Sequence, residues 1–385
     1  MFLGVSMEIK KNFIKAELYK ALSVIVLIPS IFLGTSLAAG CSKTGNGQVT
    51  IKNTEKDDDK LETADFRPED GYLKESEEVL MQNGDVESDQ SSQDGENAFN
   101  TEFSLSVPTY VTRIDDKWFI VDCYHDQIIY NYNMTAPLNE WRVLTKEAKQ
   151  PHTIAGDGSV ILVDDTENNR VLVYEKRGDS YVNTQLFNDI GKRPHYTVYD
   201  EEDKAFYVWS STTGEMYIFR HAEDDTKMYL TEIRDAGTKD TYIRSFYIDG
   251  EEIYFVSGIG SDGQASGILV CDKHSFDIKE RIEVPDDMAG MVALRKDGGY
   301  FYITVSTDIT GNQDAATMIR TKDLHGLLSG DYEEIYSEYF VGGGTPYNIT
   351  RVGDTLYLTE HRVPGHSVWS YKIENDEITD VQALY

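Results

Sequence analysis

The chain has 385 residues, with 67 acidic against 36 basic side chains and a formal net charge of −31. That charge works against phosphate neutralisation and excludes sequence-independent nucleic-acid binding, and three cysteines are too few for a disulfide framework. An apolar fraction of 40% with 25 Tyr and 15 Phe is enough to fill a core, so the bulk of the chain is neither disordered nor collagen-like.

Residues 1–40 carry Lys10, Lys11, Lys15 and Lys20 against Glu8 and Glu17, followed by an apolar run from Ala21 to Ala39. A basic region, an apolar region and small residues, in that order, read as a secretory signal. The run ends in Ala38-Ala39-Gly40-Cys41, which resembles the lipobox of bacterial lipoproteins. The resemblance implies that Cys41 becomes the first residue of the mature protein and carries a diacylglyceryl thioether, with the chain anchored on the extracytoplasmic face of the cell membrane. Two acyl chains suffice for stable anchoring at about 0.8 kcal/mol per buried CH₂. The alternative is an uncleaved transmembrane anchor, against which Pro29 and the small residues beside Cys41 argue.

Residues 41–100 form the second region. After Cys41 it holds 16 acidic and 6 basic residues, rich in Ser, Gln, Asn and Gly, with no sustained apolar period. This composition predicts a disordered, self-repelling acidic tether.

Residues 101–385 hold a unit that recurs six times. A strand-like segment, an acidic or glycine turn and an apolar strand ending in a small polar or acidic residue span 108–122, 151–164, 194–210, 243–257, 291–306 and 346–360. Ile120, Leu162, Val208, Phe255, Ile303 and Leu358 take the same place in the second strand of each copy, at spacings of 42, 46, 47, 48 and 55 residues. Two more strand candidates follow each copy, so every period supplies four strands. Four strands per 40–50 residues is the signature of a β-propeller blade. The region is therefore expected to be all-β: a six-bladed β-propeller with four antiparallel strands per blade. A pair of β-sandwiches is the alternative, but it predicts no six-fold recurrence. The last copy contains its own candidate fourth strand, Glu377 to Leu384, which predicts closure of blade against blade.

The second copy resembles an NHL repeat through Pro151, Ile154, Ala155, Gly158, Asp164 or Asp165, Asn168 or Asn169, Arg170, Val171 and Tyr174. The resemblance implies the six-bladed fold shared with NHL and gluconolactonase-like proteins, of the TolB-like kind, and carries no activity with it.

In such a ring the turns between first and second strands lie on one rim, and the loops between second and third strands lie on the other. The former are short and acidic. The latter are longer, at 257–265, 305–314 and 360–366, and long loops on a rigid scaffold are where binding residues concentrate. His125, His361 and His366 fall in these loops, and His152 and His195 open first strands directly after Pro151 and Pro194. Tyr347 follows Pro346 in the same way, with Tyr110 and Arg244 at equivalent places and Arg362 beside His361. Tyr110, His152, His195, Arg244, Tyr347, His361 and Arg362 are thus the candidate ligand-binding residues of an axial mouth, suited to an anionic or polyhydroxy ligand. The competing reading of Pro-His at a blade entrance is loop geometry, with the imidazole bonding a neighbouring blade's carbonyl.

No cofactor is implied. Three converging histidines could hold zinc or iron, but no ligand spacing marks such a site. The segment Asp164 to Asn169 could hold Ca²⁺, but the NHL-like turn explains it without metal. No nucleophile motif is present. Cys123 beside His125 could form a nucleophilic pair, but a buried structural thiol is the better reading. Cys123 and Cys271 fall in the first and fourth copies and are not expected to pair. The sequence thus points to a membrane-anchored recognition module for a glycan, a peptide or a protein at the cell envelope. A metal-dependent lyase or hydrolase at the mouth is one alternative, and an envelope-assembly scaffold is another.

Overall fold

The computed structural model describes residues 97–238, 241–258 and 265–385. The signal, Cys41 and all but the end of the acidic tether lie outside the described residues, as does most of the loop 257–265.

The described chain forms six four-stranded antiparallel sheets, each ordered by sequence from its innermost to its outermost strand. Innermost strands are Pro108–Ile114, Ile154–Gly156, Pro194–Asp200, Ile243–Asp249, Met291–Asp297 and Thr345–Val352. The strands they pair with are Lys117–Asp122, Val160–Asp165, Ala205–Ser210, Glu252–Ser257, Tyr300–Val305 and Thr355–His361. This is the six-bladed β-propeller expected from the repeat. The six residues that recur in the second strands, Ile120 through Leu358, are all fully buried.

Hydrophobic packing follows the ring. Six apolar clusters lie one at each junction between adjacent blades. Ile161 and Leu172 of blade 2 pack with Phe119 and Tyr130 of blade 1, and the series continues round to Tyr357 and Val368 of blade 6 against Val111, Ile129 and Trp141 of blade 1. Branched and aromatic side chains suit these gaps because both faces of every sheet are covered.

A second set of bonds stitches the blades near the axis. Thr109 Oγ1 donates to Pro151 O (3.5 Å), Thr166 Oγ1 to Pro194 O (2.7 Å) and Ser245 Oγ to Val292 O (2.6 Å). Thr304 Oγ1 donates to Tyr347 O (2.6 Å), and Thr350 Oγ1 closes the ring on Val111 O (2.5 Å). The one remaining junction, blade 3 to blade 4, is joined through His195.

Closure is blade against blade, since the sixth sheet supplies its own outer strand, Glu377–Ala383. The final residue completes it. The Tyr385 hydroxyl lies 2.6 Å from both Met134 O and Ala136 O, and it accepts from Trp141 Nε1 at 3.1 Å. Residues 97–100 run along the outer edge of blade 1, with Val143 N donating to Ala98 O (2.7 Å) and Asn100 N to Trp141 O (2.7 Å). An otherwise open sheet edge is thereby covered.

Candidate functional site

In four blades the second residue of the innermost strand is held apart from the sheet. Thr109, His195, Arg244 and Val292 are each skipped in the ladder: Tyr110, not Thr109, pairs with Val121, and Tyr196, not His195, pairs with Trp209. In blade 6 both Tyr347 and Asn348 are skipped. Each is a β-bulge, which re-aims a side chain out of the sheet's alternation. In blade 2 the ladder begins only at Ile154, and the buried Asp164 carboxylate accepts from His152 N (2.6 Å) and Thr153 N (2.8 Å) instead.

The approach to the two Pro-His steps is also built. Gln150 and Arg193 precede prolines yet have φ of 49° and 61°, a left-handed geometry that costs about 1–3 kcal/mol at a non-glycine residue. Asp126 and Asn169 compensate. Both sit in the left-handed region themselves, which Asp and Asn tolerate, and their side-chain oxygens accept from Gln150 N (2.9 Å) and Arg193 N (2.8 Å).

The structure brings His152, His195, Tyr347 and His361 together. The two imidazoles stack with centroids 3.8 Å apart, Tyr347 lies 6.2 Å from His152, and His361 lies 6.4 Å from Tyr347. They form a packed layer across the axis. His152 and His195 are 8% and 3% exposed, so this end is filled by the protein's own side chains. Arg244 is directed sideways, donating to Ser306 Oγ (2.6 Å) and lying 5.8 Å from the Tyr242 ring centre. Arg362 is exposed and bonds Gln313 O (2.8 Å) and Asp314 (3.2 Å).

Both histidines have defined tautomers and no charge. His195 Nδ1 donates to Arg244 O at 2.9 Å, since a carbonyl only accepts, leaving Nε2 as a lone pair. This is the imidazole-to-neighbouring-carbonyl geometry, and it stitches blade 3 to blade 4. Thr166 gives its hydroxyl proton to Pro194 O, so His152 Nδ1 donates to Thr166 Oγ1 at 3.0 Å. His152 Nε2 then faces the Cys123 thiol at 4.0 Å. Burial, with the Arg193 and Arg244 cations, lowers His152 to about 3. Burial and its neighbour His152 push His195 well down as well. His361 is lowered to about 4 by burial and by Arg362.

The other titratable groups at this end are spent on the framework. Asp122 accepts from Ser106 N, Val107 N, Gln127 and His125. Asp165 accepts from Lys149 N (2.6 Å) and from Asn168 and Arg170. Glu360 accepts from Tyr336 and from Trp369 Nε1 (2.7 Å). His125 therefore belongs to Asp122 rather than to Cys123. Burial raises the Cys123 thiol far above its usual range, the opposite of what an activated nucleophile requires. Cys123 and Cys271 are both free. Among the described residues no three His, Cys, Asp or Glu side chains are grouped to hold a metal ion.

Tyr110 does not join the histidines. Because the bulge falls on Thr109, Tyr110 returns to the ladder and lines a cavity of about 320 Å³ that opens toward the opposite rim, among the turns between first and second strands. Tyr196, Tyr247 and Arg295 share its wall, and Asp200 to Glu202 stand at its side. Tyr110 and Tyr196 meet edge-to-face at 6.4 Å. Asn348 Nδ2 donates to the Tyr196 hydroxyl at 3.3 Å. The sequence reading passed over Tyr196, Tyr247 and Arg295, although Tyr110 and Tyr196 occupy the same place two residues after a proline.

No family model matches the sequence, and no curated protein matches it. Among solved structures, a candidate 6-phosphogluconolactonase from Bacteroides uniformis is 14% identical, with 74% of this chain and 88% of that chain covered at a TM-score of 0.51. A candidate 6-phosphogluconolactonase from Bacteroides fragilis is 12% identical, with 75% and 94% covered at 0.49. A streptogramin B lyase is 14% identical, with 74% and 85% covered at 0.47. The chain is a six-bladed β-propeller whose structural neighbours are of lactonase and lyase type. At these identities the likeness is one of fold, and folds of this breadth host many unrelated functions.

Proposed function

We propose that this protein is a recognition propeller, carried on the extracytoplasmic face of the membrane by a lipid on Cys41 and an acidic tether, and that it binds a small polar ligand, such as a glycan or peptide segment, in its axial cavity. The observation that carries the reading is the pocket of about 320 Å³ with Tyr110, Tyr196, Tyr247 and Arg295 on its walls. Concave sites with aromatic walls and a few convergent polar groups are the usual form of ligand sites, and tyrosine supplies both a stacking face and a hydroxyl. The histidine end supports binding less well, because its polar atoms are largely committed to holding blades together.

The test is a ligand screen of the full chain, with amide and aromatic resonances followed by NMR. Glycans or peptides that shift Tyr110, Tyr196, Tyr247 and Arg295 support the reading. Ligands that perturb only the histidine layer, or turnover lost on metal chelation, favour the lyase or hydrolase alternative. The anchor is tested separately: Cys41→Ala abolishes labelling by a clickable fatty acid, and label retained at wild-type levels refutes it.

A further inference from the structure

The cavity at the turn rim contains a cation whose buried Nε has no hydrogen-bond partner. Arg295 projects from the innermost strand of blade 5, with its side chain 24% exposed. Among the described residues its guanidinium makes no hydrogen bond, and its Nε is buried without a partner. The nearest carboxylate oxygen, Asp297 Oδ2, stands 3.8 Å from Nε. That carboxylate is already committed, taking two 2.8 Å bonds from Arg351 Nη1. Arg295 otherwise lies 5.9 Å from the Tyr247 ring centre. A guanidinium has five donors in a planar fork matched to a carboxylate or phosphate. The buried Nε is costly to leave unpaired, and the cavity leaves the rest of the fork room for a ligand.

The opposite wall carries the other sign. The blade 3 turn presents Asp200, Glu201 and Glu202 to the same cavity. Asp200 is held by Lys273 at 3.5 Å and by the amides of Glu202 and Asp203. Glu201 and Glu202 are exposed at the turn tip, and Glu202 shares Lys273 with Asp200, at 3.6 Å. A simple anion approaching Arg295 meets these carboxylates and a chain of net charge −31, whereas a molecule carrying its own cation meets attraction at the rim and at the wall.

Resting on the recognition reading above, we infer that the cavity selects a small zwitterion: its carboxylate is forked by Arg295, its ammonium faces Glu201 and Glu202, and its body stacks on Tyr196 and Tyr247. A free dipeptide with an aromatic side chain has this chemistry. The site lies at the turn rim, away from the long-loop rim where the sequence placed its candidates.

The experiment is calorimetric titration of the purified full chain with four probes: Gly-Phe, N-acetyl-Gly-Phe, Gly-Phe amide and the neutral disaccharide cellobiose. Gly-Phe binds, and blocking either end weakens it. Arg295→Gln weakens Gly-Phe by roughly 10- to 100-fold, as expected for charge-assisted hydrogen bonds. Arg295→Lys, which keeps the charge but loses the fork, falls between. Glu201→Gln with Glu202→Gln weakens Gly-Phe by roughly 2- to 5-fold, because those groups are exposed, and leaves N-acetyl-Gly-Phe unweakened. Urea unfolding of each variant shows that the ring is intact. Equal binding of Gly-Phe and its N-acetyl form overturns the zwitterion, and so does Gly-Phe binding that Arg295→Gln leaves unchanged. No heat with any probe also overturns it. Cellobiose bound alone, and unaffected by Arg295→Gln, overturns the ligand class while leaving the recognition reading standing.

Discussion

Acid destabilises this propeller through its axial histidines, and the size of the effect follows from their burial. His152 has a folded pKa of about 3 against about 6.5 in an unfolded chain. Between those values the unfolded state binds a proton that the folded state refuses. The slope of unfolding free energy with pH is then positive, at about 1.4 kcal/mol per pH unit for one proton. The stability is fully present above pH 6.5 and is lost as pH falls. Going from pH 6.5 to 4.5 costs about 2 kcal/mol for His152 alone. His195 adds to this in the same direction, and the stacking of the two rings 3.8 Å apart reinforces it, because a second imidazolium there would meet a like charge. Asp164, raised by burial to about 7, acts the other way: its folded form holds a proton that the unfolded form has released, so it offsets part of the slope between about pH 4 and 7. The comparison that isolates the histidines is between wild type and His152→Asn or His195→Asn, whose side-chain amides can replace the Nδ1 donors. Urea unfolding at a series of pH values from 4.5 to 7.5 should show a slope lower by up to one proton in each variant. If both variants keep the wild-type slope over pH 4.5–6.5, the histidines are not buried and neutral and the packed axial layer is wrong.

The opposite sign holds at His221, which bridges blade 3 to blade 2. Burial alone would lower it, but bonds to Asp157 Oδ2 (2.5 Å), Ala222 O and Asp225 O raise it. Both ring nitrogens face acceptors, so the folded ring is an imidazolium whose stabilisation is present below pH 6.5 and is lost as pH rises through its elevated folded pKa. Wild type should therefore lose stability relative to His221→Asn in urea unfolding as pH rises above 6.5; parallel curves refute the bridge. At the ring closure, Tyr385→Phe removes only the hydroxyl that meets Met134 O, Ala136 O and Trp141, and should cost about 1–1.5 kcal/mol by the same assay. Tyr385→Ala also removes the ring that packs on Trp141 and should cost about 2–4 kcal/mol, and losses below about 0.5 kcal/mol in both show that closure does not depend on the terminal residue.

The ring itself was legible in the sequence because the hydrophobic pattern is local and repeats. Ile120, Leu162, Val208, Phe255, Ile303 and Leu358 recur within units of one blade, and each ends fully buried, since a blade cannot cover its two faces except against neighbours of the same kind. The complete sixth unit likewise foretold closure without an exchanged strand. What the axis contains was decided only by tertiary structure. A bulge inserts one residue and shifts every side chain beyond it to the other face, so whether Thr109 or Tyr110 turned to the histidine end depended on a ladder register that the spacing after Pro108 does not encode. The charge of His152 and His195 depends on burial between blades that are 43 residues apart in the chain, and their hydrogen bonds go to Thr166 and to the Arg244 carbonyl, partners that no local pattern marks. Arg295 belongs to a strand, Met291–Asp297, that carries no motif. Its guanidinium keeps only a 3.8 Å ion pair in a tyrosine-walled cavity because Arg351, from the next blade, takes the hydrogen bonds of the carboxylate that stands beside it.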